Sequence, residues 1–267
     1  MKSTRKPRLF AGAAMAAIGL SFAALAALAA PVLGPDPASF AVLGSAGVTN
    51  VPTSTIGGNL GSARDPSVGG GYIFSSGSFQ QNTALAQSAQ IQLDTAIATL
   101  NGMGPGLTLG ADLIGTILPG IYTVPAGPTN LSGDLVLDGG ANNAALWVFL
   151  FASTLITSTT SNVTVTNVGD GSGVGIYWVV GSGATLNGPT FAGDVLAHDL
   201  ISSDGDLTIG CGRLLSATTQ VTLIHDKASI GCADFGGCQR HYRGAAALLT
   251  RARTSGPGAP ADRTARS

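Results

Sequence analysis

Short apolar runs alternating with single small polar residues dominate the chain from Phe40 to Ile230. In Ala184-Thr185-Leu186, Leu207-Thr208-Ile209 and Val221-Thr222-Leu223 the apolar positions recur every second residue, which turns each central Thr to the outer face of a strand. Gly, Asn, Asp or Ser interrupts these runs every few residues, most densely over 175–223, and predicts short strands joined by tight turns. One segment follows a different period. Leu85, Ala89, Leu93, Ala96 and Leu100 recur at helical spacing, predicting a helix over about 79–100 with Ser78 as N-cap and Gly102 as its stop. Its apolar stripe of mostly small residues suits a helix lying flat against a sheet.

Before this helix, 40–43 and 54–56 read as strands, and the Gly and Pro content of 64–77 implies a loop or cap. After Gly104-Pro105-Gly106 the strand pattern resumes and runs to Ile230. Its turn signals are irregularly spaced, so no fixed repeat emerges. The pattern alone leaves a sandwich, a jelly roll and a β-solenoid open.

The two ends differ from the middle. Lys2, Arg5, Lys6 and Arg8 precede an apolar stretch from Leu9 to Leu28 that closes on Ala27-Leu28-Ala29, so 1–29 reads as a signal peptide and the protein as secreted. Residues 30–238 make one domain's worth of chain. Within that span Arg64, Arg213 and Lys227 face thirteen Asp and no Glu, a net charge near −10 that does not suit nucleic acid. Residues 239–267 carry six Arg and a Gly-Pro-rich end, a basic tail disordered by composition. Few charges and many Thr, Ser, Asn and β-branched residues point to a repetitive β structure with an uncharged polar surface.

Catalytic chemistry is poorly represented. Asp204 with Asp206, or Asp134 with Asp138, could supply paired carboxylates for glycoside hydrolysis, but each pair neighbours Gly and reads as turn chemistry. A lyase would want a basic residue near its acidic substrate, and Arg213 is nearly alone. His198 and His225 each precede Asp, yet no G-x-S-x-G elbow accompanies them. His225, Cys232, Cys238 and His241 could be drawn as a zinc quartet but lack a C-x-x-C knuckle, so neither metal nor cofactor is expected. Export favours a disulfide among Cys211, Cys232 and Cys238, with Cys232–Cys238 and Cys211–Cys232 both open.

The run IYWVVGSGATLNGPTFAGDVLA, followed by CGRLLS and QVTL, resembles the ice-binding-like adhesive domain, a family of secreted microbial proteins that includes ice-binding members. FAVLGSAGVTN with TIGGNLG, LPGIYTV and LWVFLFASTLITS extend the likeness over nearly all of 40–230. The resemblance implies a mainly β fold: a discontinuous right-handed β-helix of triangular section with one long helix alongside. It makes Gly212-Arg213-Leu214 a structural motif. It also implies a monomer that adsorbs to an ice surface or its ordered water without catalysis, or alternatively an adhesive module for a cell-surface polysaccharide.

On such a fold, rungs about 4.8 Å apart and outward residues about 6.8 Å apart form a flat grid close to repeats of an ice lattice. Thr suits that grid because β-branching fixes χ1 while the hydroxyl holds a water. The residues expected there are Thr49, Thr154, Thr185, Ser202 and Thr222. Asp199, Asp204 and Asp206 crowd two adjacent segments, and Gln220 sits beside Thr222. Carboxylates on the grid would hold hydration shells of their own and oppose ice.

Overall fold

The computed structural model describes residues 32–231 apart from 66, 170 and 172. The expected leader over 1–29, the tail over 239–267, His241, Cys232 and Cys238 lie outside the described residues. A one-turn helix α1 (Pro35–Ala38) opens the fold. It leads into β1 (Phe40–Gly44), β2 (Gly47–Val51), β3 (Ser54–Gly57), β4 (Asn59–Ser62), β5 (Tyr72–Ser76) and β6 (Phe79–Gln81). Helix α2 (Ala84–Asn101) follows, then β7 (Leu107–Thr108), β8 (Gly115–Ile117), β9 (Gly120–Val124), β10 (Leu135–Asp138), β11 (Leu146–Phe151), β12 (Leu155–Ile156) and β13 (Val163–Thr166). The last third comprises β14 (Gly175–Val180), β15 (Ala184–Leu186), β16 (Thr190–Ala197), β17 (Ile201–Ser203), β18 (Thr208–Ser216), β19 (Gln220–Ile224) and β20 (Lys227–Ser229).

Among the described residues these strands form three sheets, and every strand pairing in them is parallel. The largest runs β5-β3-β20-β18-β16-β14-β11-β9-β7, with a branch from β18 through β1 and β4 to β6. A five-stranded sheet runs β12-β15-β17-β19-β2, and a three-stranded one β13-β10-β8. Parallel neighbours cannot be joined by a tight hairpin, so consecutive strands pass to different sheets before the chain returns.

Chain order breaks at one seam. Strands β1, β2 and β3 pair with β18, β19 and β20, so the beginning of the chain stacks against its end. Helix α2 then carries the chain from β6, at one margin of the large sheet, to β7 at the other. Its 18 residues reach about 27 Å at 1.5 Å per residue, between five and six strand spacings of about 4.8 Å, and the segments flanking the helix complete the eight steps from β6 to β7.

The large sheet is buried on both faces, which accounts for the unbroken apolar runs LWVFLF and IYWVV. One face sends Trp147, Phe149, Trp178 and Val195 into the main core; the other sends Val148, Tyr177, Val179 and Leu196 under α2. Successive strands stack their aromatics in register. Tyr122, Phe149 and Trp178 lie with ring centroids 5.6 and 4.3 Å apart, and Phe191 sits 4.9 Å beyond Trp178.

The helix begins later than the sequence period predicts. Phe79 pairs with Leu60 as part of β6, and Thr83 rather than Ser78 is the N-cap, its Oγ1 accepting the Ala86 N–H at 3.2 Å. The stop at Gly102 is where expected. Its buried stripe is Ala86, Ala89, Gln90, Leu93, Ala96 and Leu100. Gln90 joins this apolar set because its Nε2 donates to the Ala217 carbonyl at 2.9 Å. The expected loop over 64–77 is a loop only in its first half, where Ser67 and Val68 cover β2; Tyr72–Ser76 is the marginal strand β5. Its apolar run is only three consecutive residues, Tyr72, Ile73 and Phe74, flanked by Gly and Ser, too short to mark a strand against the loop signal.

Gly212-Arg213-Leu214 is a structural junction. Gly193, with φ +101°, stands opposite both Cys211 and Gly212, so β18 bulges by one residue here; a Cβ on Gly212 would lie 2.1 Å from the Gly193 carbonyl oxygen. The bulge sets Asp194 opposite Arg213, whose Nη1 donates to Asp194 Oδ1 at 2.7 Å. Arg213 Nε and Nη2 donate to the Ala38 carbonyl at 3.1 and 2.8 Å, closing α1 onto the sheet. Cys211 is disulfide-bonded.

Arg213 is 3% exposed, so Arg213→Ala strands a buried carboxylate and is expected to cost about 3–5 kcal/mol in chemical denaturation. A loss below about 1 kcal/mol would show that the pair does not hold this junction.

Candidate functional site

The five-stranded sheet carries no Asp, Glu, Lys, Arg or His in any of its strands. Its inward residues, Leu155, Ala184, Leu186, Ile201, Val221, Leu223 and Val48, are all buried. Period-two alternation therefore turns the residues between them outward. Register places Ile156 beside Thr185, Thr185 beside Ser202, Ser202 beside Thr222, and Thr222 beside Thr49. Thr49 and Thr222 lie 173 positions apart in sequence, yet their hydroxyls are 3.0 Å apart.

Four of the five residues expected on the grid thus stand in one line across the sheet. Thr154 does not join it, because Ile156 occupies the corresponding position of β12 and Thr154 precedes it by two residues. Leu155 points inward whichever of its neighbours is chosen, so the triplet alone could not decide which one aligns with Thr185. Ile156 is the member that sequence reading missed.

A second outward line lies two residues further along each strand. It contains Asn187, Asp204, Ile224 and Val51, with Ile224 and Val51 paired directly. Asp204 belongs to it because its N–H continues the ladder to the Leu186 carbonyl at 3.2 Å and its side chain is exposed. The other two flagged carboxylates are elsewhere. Asp199 accepts from His198 Nδ1 at 2.9 Å and Thr218 Oγ1 at 3.0 Å, bonds that hold its carboxyl below the ordinary range. Asp206 lies in the turn before β18 with φ 55°. Gln220 is exposed at the start of β19, opposite Gly47.

Of the two candidate hydrolytic pairs, Asp134 and Asp138 are engaged locally. Asp138 accepts from the Gly140 N–H and Asn167 Nδ2, each at 2.9 Å, and the Gly140 bond above all holds its carboxyl low. Asp134 accepts from Asn162 Nδ2 at 2.8 Å, whose Oδ1 in turn accepts from Thr190 Oγ1. Asp134 and Asp138 thus tie into a turn and into Asn side chains of the neighbouring segment. His225 is an exposed turn residue with φ 53°.

Beneath one end of the outward face lies a polar corner with no sequence signature. Asp226 is 1% exposed and accepts from the Leu207 and Ile224 N–H groups, each at 3.0 Å, and from Ser203 Oγ. Its own N–H donates to Ser54 Oγ, which continues to Asn50 Oδ1 at 2.7 Å. This chain of bonds ties β17, β19, β3 and β2 together just inside the Thr line.

Residues 42–229 match the ice-binding-like family, and the chain belongs to it. An ice-binding protein of Nostoc sp. (strain HG1) is 36% identical over 204 residues, covering 73% of this chain and 72% of the relative. An ice-binding protein from an Antarctic biological consortium superposes with a TM-score of 0.65 at 29% identity, covering 74% of this chain and 89% of that one. That of the Antarctic ascomycete Antarctomyces psychrotrophicus gives 0.63 at 27% identity, covering 73% and 96%.

Burial raises the Asp226 carboxyl above its ordinary value of 3.8, against the pull of its three hydrogen-bond donors. Below 3.8 it is protonated in folded and unfolded chains alike; as pH rises through the elevated folded value, an ionised group must be buried and that share of stability is lost. Asp226→Ala leaves the Leu207 N–H unpaired, the Ile224 N–H keeping Ser203 Oγ at 3.1 Å, and should cost about 1–3 kcal/mol in urea unfolding. The gap to wild type is expected to be wider near about pH 4 than near about pH 8, and the opposite trend would reverse the sign assigned to burial.

Proposed function

We propose that the chain is a secreted ice-binding protein that adsorbs to ice through the outward face of its five-stranded sheet. The observation that carries this reading is the line Thr185, Ser202, Thr222 and Thr49, held in register on strands without a charged side chain. Thr154 flanks that line on the neighbouring outward position. A row of hydroxyls and methyls on adjacent strands repeats at about 4.8 Å, and β-branching keeps the Thr side chains ordered before contact, so little rotamer freedom is lost on adsorption. Named ice-binding relatives support the same activity.

In this proposal the three parallel sheets are the sides of a right-handed β-helix of triangular section, with α2 packed along one side and the chain break at the seam of β2 and β19. Residues 1–29 are the leader, 30–238 the folded domain and 239–267 a basic tail. The protein acts as a monomer, with no catalysis and no cofactor. An adhesive module for an extracellular polysaccharide is the second reading. Exposed Leu200 and Asp204, both beside the Thr line, favour it.

The test is thermal hysteresis and ice recrystallisation inhibition on the purified protein. Crystal shaping and growth arrest are expected, and a folded sample without either would move the assignment to glycan binding. Thr185→Tyr is expected to abolish both activities while leaving the melting temperature within a few degrees, because the ring breaks flatness but Ala184 and Leu186 remain buried. Full activity in that variant would place the contact on another face.

A further inference from the structure

Charge on the outward face is concentrated at one residue. None of the five strands carries an ionisable side chain, and Asp204 continues the ladder of β17 by one position into the second outward line. Asn187 stands on one side of it. Ile224 and Val51, the latter 47% exposed, stand on the other. Among the described residues the Asp204 carboxylate accepts no hydrogen bond and forms no ion pair. Asp199, by contrast, is held by His198 and Thr218, and Asp206 is carried into the turn.

We infer that Asp204 is a specificity-determining residue of this face, the single group that sets how well it accepts an uncharged lattice of ordered water. This inference rests on the ice-binding reading. An ionised carboxylate orients surrounding water toward itself, and removing that water without a replacement partner is costly. Neighbouring Ile224 and Val51 offer no such partner. A water lattice laid across Thr185, Ser202, Thr222 and Thr49 therefore meets a competing hydration shell about 6.8 Å from Ser202 along the strand. The Thr line alone would extend its contact onto the second line; Asp204 holds the contact to the first.

Asp204→Asn keeps the shape of the side chain and removes its charge. At equal protein concentration it is expected to raise thermal hysteresis by about twofold over wild type. Asp204→Ser should do the same with a different side chain. Asp206→Asn removes an identical charge two residues away in the turn, where Asn tolerates φ 55°, and should leave hysteresis unchanged. Circular dichroism and melting curves on all four proteins confirm that each is folded. Equal or lower hysteresis in both Asp204 variants of an active wild type overturns the inference and leaves the ice reading intact. An equal gain from Asp206→Asn also overturns it, since net charge would then be the cause. Loss of activity in every folded protein, wild type included, sinks the ice reading and this inference together. An inactive wild type with an active Asp204→Asn supports both.

Discussion

Parallel pairing of strands about 4.8 Å apart is the constraint from which the other features follow. Parallel neighbours force the chain to travel through other sheets before it returns, so each residue is aligned with a partner far away in sequence. Alignment then fixes direction. Once Leu186 and Leu223 point into the core, Thr185 and Thr222 can only point out. The same rule stacks Tyr122, Phe149 and Trp178 on the inside. A regular outer surface and a regular core are two sides of one register, and neither can slip by one residue without exchanging its contents.

Among the described residues the buried charged side chains Asp194, Arg213 and Asp226 sit where the chain turns or where the register is interrupted. Arg213 and Asp194 meet beside the bulge at Gly193, and their pairing ties α1 to strands from the other end of the chain. Asp226 fills a corner where the chain leaves the Thr-bearing sheet, collecting backbone donors from two turns. These groups are engaged by the backbone or by each other. That engagement separates them from the exposed carboxylate at Asp204.

Much of this was legible from local pattern. Alternation around Thr185 and Thr222, the helical period of Leu85 to Leu100 and the stop at Gly102 are properties of a few neighbouring residues, and each led to the right element type. What failed depended on distant partners. Phe79 fits a helical period but is claimed by Leu60 in a strand pair, so the helix starts at Ala84 under the Thr83 cap. Ile156 and Thr154 are equally outward in their own triplet, and only the pairing of Leu155 with Ala184 selects between them. Asp199, Asp204 and Asp206 look alike in sequence; His198, Thr218 and the backbone at φ 55° tell them apart. Asp226 gives no local sign of burial because two of its donors, on Leu207 and Ser203, lie 19 and 23 positions away.

The seam between β2 and β19 has a consequence for how the protein is made. Thr49 emerges among the first residues of the domain, and the strand that must receive it, with Thr222, among the last. A chain delivered N-terminus first cannot complete this sheet progressively: β1 and β3 can pair early with β4 and β5, but β2 has to wait for β19. Contacts of such long sequence separation carry a large loop-closure cost and make folding slow relative to chains built from local contacts. The outward face is therefore completed only when β19 receives β2, and a truncated chain lacking its final strands would leave β2 without its strand partner.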